Sequence, residues 1–586
     1  MPILLILAIL KNNQHIAILG GGPSGLFMFK RIIESGSTDI KVDIFEKSNK
    51  LGSGMPYSEE GACNEHITNV SGNEIPDIVT PIADWIRTIP EDTLIKYKID
   101  VEQFNDYKVL PRLLFGQYLT AQFKLLQQKA KDLGFNVTVH YGSKVTNITD
   151  QPKLANVLVE VNGNQEYTFD RVVICTGHNW PVKHEGTIPG YFDSPYPPAK
   201  LSLEVNHPVA IRGSSLTAID AIRTLARRNG SFSKNDKGIV RYTLNESSTE
   251  FRMVMHSRNG LLPAVRFHLE DSHLLKDSVL SKEEIDCNRS ENDGFLSLDY
   301  VFDKNFKSKF EDHDPAMYAR IKDMPIEEFV PYVMDLREKL DPFQLLKAEY
   351  AEAEKSIKRK ESVYWKEMLG VLSFAMNYPA KYLSAEDMQR MQKVLMPLIS
   401  VVIAYVPQSS AQELLALHHA GILSMVTVGE ESEVAPVPNG GINYTFMDES
   451  GETQEMYYTT FVDSIGQPHF PYEKFPYKGL LANHTISPAL LKFQDSHNGK
   501  KALESDPTKV QTDAEGNYHL IVSGIAINDN FQVVDGYGAF NERIYIMAVP
   551  YIGGYNPDYS GLDFSEAASA LIIKSLVKAE DDMLIA

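Results

Sequence analysis

The stretch Ile16-Ala-Ile-Leu-Gly-Gly-Gly-Pro-Ser-Gly25 decides the fold. An apolar, β-type run ends at Gly20, and the spacing Gly20, Gly22, Gly25 opens a helix predicted from Leu26 to Ile33. Gly20 permits a tight turn off the strand, Gly22 lets backbone approach a pyrophosphate, and Gly25 lets the helix pack closely on the strand. The helix N-terminus then presents free N–H groups to an anion. A second apolar run, Val42-Asp-Ile-Phe45, ends in Glu46, placed about 20 residues after the last glycine, where an acid accepts ribose hydroxyls. Glycine-rich turns are common. Strand, triplet, helix, second strand and terminal acid in this order specify a dinucleotide site.

Working outward, the second unit is less regular. Arg171-Val-Val-Ile-Cys-Thr-Gly177 reads as a buried strand and small-residue turn, and Val209-Ala-Ile-Arg-Gly213 as another strand before a helix from Ala218 to Arg228. Gly213-Ser-Ser215-Leu-Thr-Ala218 occupies the place of a second fingerprint, with Ser215 and Ala218 standing for the second and third glycines. Alanine is accepted at the third position. Ser215 brings a side chain near the pyrophosphate, so the unit is either a nicotinamide dinucleotide site or a Rossmann fold with a weakened one. His256-Ser257-Arg258-Asn259-Gly260 follows the next strand and carries no acid. Ser257 and Arg258 are either the pair that holds a 2′-phosphate, favouring NADPH over NADH, or an exposed turn.

Five segments are expected: an apolar extension (1–14), an FAD-type Rossmann domain (15–200), an NAD(P)-type unit (201–298), a helical insertion (299–422) and a return to the nucleotide-binding domains (423–586). The fold class is α/β, two Rossmann-like units with an inserted α-helical domain. Asp341-Pro342 marks a helix start and Ser384-Ala-Glu-Asp387 resembles a capping box. Strands are expected again at 425–428, 443–447 and 457–462, and the last helix at 566–577. The loop Pro550 to Phe564, with Gly553, Gly554, Gly561 and Asp563, leads into that helix and can set backbone N–H groups against a flavin edge.

Composition excludes several classes. A net charge of −20 over 586 residues leaves no basic excess for nucleic-acid phosphates or anionic membranes. Three cysteines, Cys63, Cys175 and Cys287, form no CxxC pair, which argues against a dithiol centre, zinc or a disulfide scaffold and suits a reducing cytoplasm. The apolar Met1 to Leu10 is shorter than the roughly 20 residues of a membrane span; a vestigial extension or misassigned start is the preferred reading. His178, His418 and His419 fit no metal or triad pattern and are read as structural.

Gly20-x-Gly22-x-x-Gly25, Glu46, Gly52-Ser-Gly54-Met-Pro-Tyr57-Ser58, His66-x-x-Asn69-Val70 and Thr176-Gly177 together resemble the bacterial FAD-NAD(P)-binding proteins, relatives of the flavin-dependent monooxygenases. Ser194-Pro-Tyr-Pro197, Leu261-Leu-Pro263, Asp341-Pro-x-x-Leu-Leu346 and Pro407-x-x-Ser410-Ala411 extend the resemblance from about His15 to Lys574. It implies FAD in the first unit and NADPH or NADH in the second. Members resembling this chain include a urate hydroxylase, and related enzymes hydroxylate amines such as ornithine and lysine; no substrate carries over. The expected cofactor-binding residues are Gly20, Gly22, Pro23, Ser24, Gly25, Glu46, Lys47, Met55, Tyr57, Asn69, Val145, Thr176, Gly177, Gly213, Ser215, Ser257, Arg258, Gly561 and Asp563. The expected activity is an FAD-dependent, NAD(P)H-using monooxygenase acting on a small molecule with dioxygen. A reductase without oxygen insertion and a non-catalytic redox sensor are the alternatives.

Overall fold

The computed structural model describes residues 14–177, 180–269, 279–448, 450–467, 469–557 and 561–585, apart from the side chains of Leu336 and 577–585. The apolar segment Met1 to Leu10, His178, and Asp558 to Ser560 of the glycine-rich loop lie outside the described residues.

The first unit is built as the sequence expects. β1 (His15–Leu19) is solvent-free from Ile16 to Leu19, as befits a parallel strand covered on both faces. It runs through α1 (Pro23–Glu34) into β2 (Lys41–Phe45). α2 (Arg112–Asp132), β3 (Asn136–His140) and β4 (Arg171–Ile174) follow. The second unit holds β5 (Tyr191–Phe192), β6 (Pro208–Arg212), α3 (Leu216–Asn229), β7 (Arg252–Ser257), β8 (Leu423–Thr427) and β9 (Thr460–Asp463). The chain then returns to the first unit through β10 (Gln532–Val534), β11 (Phe540–Ile546) and α4 (Leu562–Ile585).

The first sheet runs β10-β11-β4-β1-β2-β3, parallel except for β10. The second runs β5-β9-β6-β7-β8 and is parallel throughout. In each sheet one strand, β1 or β6, lies between strands reached in opposite directions. Leu19 aligns with Phe45 and Ile174, and Arg212 with His256 and Asp463. Both units therefore open a crevice at the carboxyl ends of their strands, where the chain order reverses.

The helical region starts earlier than the sequence suggests. Its first helix is Lys282–Glu291, capped reciprocally by Ser281 and Glu284, and its last is Gln408–His419. Asp341 accepts from the N–H groups of Phe343 (3.1 Å) and Gln344 (2.9 Å), as the Asp-Pro start predicts. At Ser384 only half of the capping box forms: its hydroxyl accepts from Asp387 N (3.1 Å), while the short Asp387 side chain accepts from Leu298 N (2.8 Å).

Two departures have physical causes. The run 457–462 is not one strand. Thr453–Tyr458 belongs to a three-stranded antiparallel sheet with Glu433–Pro436 and Ile442–Met447, while Thr460–Asp463 joins the parallel sheet. Period-2 patterning alone does not reveal a change of sheet at Thr459. Second, Pro488–Lys492, Val510–Thr512 and Tyr518–Ile525 form a sheet whose Leu491, Val510, Leu520 and Val522 share one apolar cluster with Leu369, Leu372 and Leu398 of the helices. The helical domain thus recruits a remote stretch of chain to complete its core.

Candidate functional site

Gly20 begins the site. It sits at φ +117°, its N–H donates to Phe45 O (2.9 Å), and a Cβ there would lie 2.7 Å from Cys175 O. A side chain is thus excluded by conformation and by the backbone of the turn at Cys175. Gly25 makes the helix–strand contact: its Cβ would fall 2.1 Å from Gly20 O. Gly22 backs onto Gly54, whose Cα would be 3.3 Å from an added Cβ, so the floor here is bare backbone. The acid is held ready. Glu46 Oε2 accepts from Gly21 N (2.9 Å) and Oε1 from Ser48 N (2.8 Å), leaving further lone pairs on both oxygens for hydroxyl donors. A Cβ on Gly21 would lie 2.2 Å from Leu51 Cδ2, a contact that the triplet spacing does not reveal and that the Leu51 side chain would have to move to relieve.

The second unit repeats this construction. Gly213 sits at φ +105°, donates to His256 O (2.8 Å), and a Cβ there would meet Ser464 O at 2.8 Å. Ser215 occupies the N-cap of α3 at φ −88°, a conformation that any L-residue adopts; its side chain makes no capping bond and is exposed. The hydroxyl is therefore available as a donor at a helix N-terminus. Ser214 is committed elsewhere, to Ser257 Oγ (3.1 Å) and Leu261 O (2.7 Å). Arg258 is exposed, and its guanidinium makes no hydrogen bond or ion pair among the described residues.

One cavity of about 1690 Å³ joins the two units. Of the expected residues, Gly20, Gly22, Pro23, Ser24, Glu46 and Lys47 line it from the first βαβ unit, and Met55, Tyr57 and Asn69 from the excursion that follows. Val145, Thr176, Gly177, Ser215, Gly561 and Asp563 complete the set on the cavity wall. Gly25 lies beneath the turn, while Gly213, Ser257 and Arg258 sit outside the cavity, at the carboxyl ends of β6 and β7. The N-termini of α1 and α4 both open onto it, and a Cβ on Gly177 or Gly561 would meet nothing within 4 Å. Bare backbone, two helix N-termini and an oriented carboxylate fit the diphosphate and ribose of FAD.

The sequence reading missed several wall residues. Arg112, Trp180, Tyr196, Gln467 and Tyr551 line the cavity, and Phe374, Met396 and Ile403 bring the helical domain to it. Tyr196 lies within Ser194-Pro-Tyr-Pro197 and Tyr551 within the loop from Pro550 to Phe564; the others belong to no motif. Met396 and Ile403 follow a π-helical stretch, Met391–Leu395, of the kind often placed at functional sites. Burial pushes the Tyr57 hydroxyl up, with Arg112 opposing and Asp563 adding to the rise. Burial likewise pushes the Cys175 thiol up, and that of Cys63 to about 11, so neither is a ready thiolate. Among the described residues there is no cluster of metal-ligating side chains. His418 stacks on Phe343 with ring centres 3.8 Å apart. No described helix is long and apolar enough to cross a membrane.

Residues 17–179 match the family model described as FAD-NAD(P)-binding, and residues 281–403 match the YdhS-like middle domain. The uncharacterized protein YdhS of Escherichia coli K12 is 29% identical over 475 residues, covering 80% of this chain and 86% of its own. Flavin-containing monooxygenase 5 of Cavia porcellus is 23% identical over 177 residues, covering 29% of this chain and 28% of its own. L-lysine 6-monooxygenase of Pseudomonas syringae superposes over 97% of this chain and 99% of its own, at 11% identity and a TM-score of 0.49. The chain is thus similar to the FAD-NAD(P)-binding family over its first unit and to a YdhS-like middle domain over the helices set between β7 and β8.

Proposed function

We propose that the protein is an NAD(P)H-using, FAD-dependent monooxygenase that hydroxylates a small molecule in the cytoplasm. The observation that carries this reading is the shared cavity. Gly22 and Ser24 of the first fingerprint, Ser215 and Thr217 of the second, and Phe374 and Ile403 of the middle domain all border one space. A flavin site, a reductant site and a wall for a third molecule meet there. The partial relative named a flavin-containing monooxygenase supports the same class.

Bound FAD supplies the redox chemistry, taking electrons from NAD(P)H and delivering them to dioxygen. The chain's residues position and enclose. Gly22 and the N-terminus of α1 receive the diphosphate, and Glu46 accepts the ribose hydroxyls. Tyr57, Asn69 and Asp563 line the part of the cavity that would hold the flavin ring. Ser215 and the N-terminus of α3 would receive the diphosphate of the nicotinamide dinucleotide, with Arg258 at its 2′-phosphate; Ser257 is buried, its hydroxyl between Ser214 Oγ (3.1 Å) and Asn259 Oδ1 (3.3 Å), and supports the turn from beneath. Phe374, Met396 and Ile403 form the apolar wall that keeps water from the substrate.

An anaerobic spectrum of the FAD-loaded protein before and after NADPH, then NADH, tests the reading. Bleaching of the flavin band is expected, faster with NADPH. Hydroxylated product formed in step with NADPH consumed, across candidate substrates under oxygen, separates a monooxygenase from a plain reductase. A band that persists with both nucleotides overturns the reading.

A further inference from the structure

Behind the cavity wall, one face of α3 is fastened to the first unit. Asp220, one turn into α3, accepts from Arg112 Nη1 and from the Tyr196 hydroxyl (2.7 Å). Arg112, at the start of α2, also donates through Nε to Ile67 O (3.2 Å). One turn further along α3, Thr224 Oγ1 donates to Glu65 (2.8 Å) and lies 3.1 Å from His66 Nε2. Cys63 N–H donates to His66 Nδ1 (3.1 Å), so Nε2 carries the proton and is the donor to Thr224. His66 is fully buried and Asp220 nearly so. Arg112 holds Asp220 below the usual carboxylate range against the upward pull of burial, so the node is a true ion pair.

The placement matters more than the charge. Arg112 and Tyr196 both line the cavity, whereas Asp220 does not reach it. The carboxylate therefore works through its two partners, from the helix whose N-terminus carries Ser215 and Thr217. A buried ion pair adds little net stability over apolar packing of similar volume. What it adds here is a fixed, directional joint between two units that must present two cofactors to each other.

We propose that Asp220 is a positioning residue, which through Arg112 and Tyr196 sets the N-terminus of α3, and so the nicotinamide site, in register with the flavin site. The proposal rests on the functional reading above. The full-length, FAD-loaded protein carrying Asp220→Asn tests it against the unaltered chain. Flavin content and NADP⁺ affinity, the latter read from perturbation of the flavin spectrum, should stay close to those of the unaltered chain. Anaerobic bleaching by saturating NADPH should slow by about 100-fold, the scale of a ~1 Å misplacement, while bleaching by dithionite should not change. Should Asp220→Asn fail to fold, Tyr196→Phe removes one hydrogen bond and should slow NADPH bleaching alone, by about fivefold.

Unchanged NADPH bleaching in these variants overturns the proposal. So does a parallel loss of FAD, of NADP⁺ affinity and of reduction by both reductants, which marks a merely structural role. An unaltered chain that neither nucleotide bleaches refutes the functional reading instead. The joint is then read by hydrogen exchange on FAD-free protein. Asp220→Asn should speed exchange in 63–69 and 215–224 and spare 15–45; unchanged exchange in 215–224 overturns the joint itself.

Discussion

Ser24 and Ser565, 541 positions apart in sequence, face each other with their hydroxyl oxygens 3.2 Å apart. The contact draws the N-termini of α1 and α4 together at the cavity. Glu566 reinforces it by pairing with Arg31 and lying 3.6 Å from Lys30 Nζ. Glu566→Ala should loosen α4 and lower stability by about 1–3 kcal/mol, the worth of hydrogen bonds to a charged group. Denaturant unfolding checks the stability, and fluorescence of released flavin checks the accompanying loss of FAD.

Gly22 and Gly25 should fail in different ways. A Val at position 22 puts a branched side chain where backbone alone meets Gly54, on the wall proposed to receive the diphosphate. Folded protein that copurifies without FAD is expected; normal flavin content would contradict the site. Gly25→Ala places a methyl 2.1 Å from Gly20 O, so helix and strand must separate. The expected cost is about 1–3 kcal/mol or more of stability, seen as a lowered thermal midpoint even without FAD.

Arg258 offers the sharpest test of nucleotide choice. Its exposed guanidinium at the end of β7, uncommitted among the described residues, is proposed to receive a 2′-phosphate. Arg258→Ala should weaken NADPH by roughly 1–3 kcal/mol and leave NADH nearly unchanged. Comparing the Kd of the two nucleotides by calorimetry decides it, and equal weakening would remove the 2′-phosphate role.

His256 makes the second unit sensitive to acid. It is buried, stacks on Tyr444 with ring centres 4.1 Å apart, and burial lowers its pKa from 6.5 to about 4. Between those values the unfolded chain binds a proton that the folded chain does not. Stability contributed by His256 is therefore full above pH 6.5 and is lost as pH falls toward 4, by at most ~1.4 kcal/mol per unit. Because Gly213 donates to His256 O, the fingerprint turn should loosen with it. His256→Phe, which keeps the stacking, should flatten this part of the stability profile measured by denaturant unfolding at stepped pH.

Much of the first unit is legible in the sequence because its constraints are local. Ile16 to Gly25 states a strand, a turn and a helix within one window, and Glu46 follows at a fixed distance. The second unit is harder to read because Ser215 replaces a glycine at a conformation that any residue adopts, so the spacing alone does not distinguish a site from its remnant. Arg112 and Gln467 carry no local signature, and Ser194-Pro-Tyr-Pro197 does not by itself place Tyr196: all three reach the cavity because separate elements deliver them there.

By itself, the sequence determined the two Rossmann-like units, the glycine turn at Gly20, the acid at Glu46 and a helical insertion, because backbone sterics and hydrophobic period act over a few residues. Tertiary structure alone decided that both fingerprints and the middle domain border one cavity. It decided too that Ser24 meets Ser565 and that Asp220 locks α3 to Arg112. Those relations depend on packing between stretches tens to hundreds of residues apart, and no window of sequence contains them.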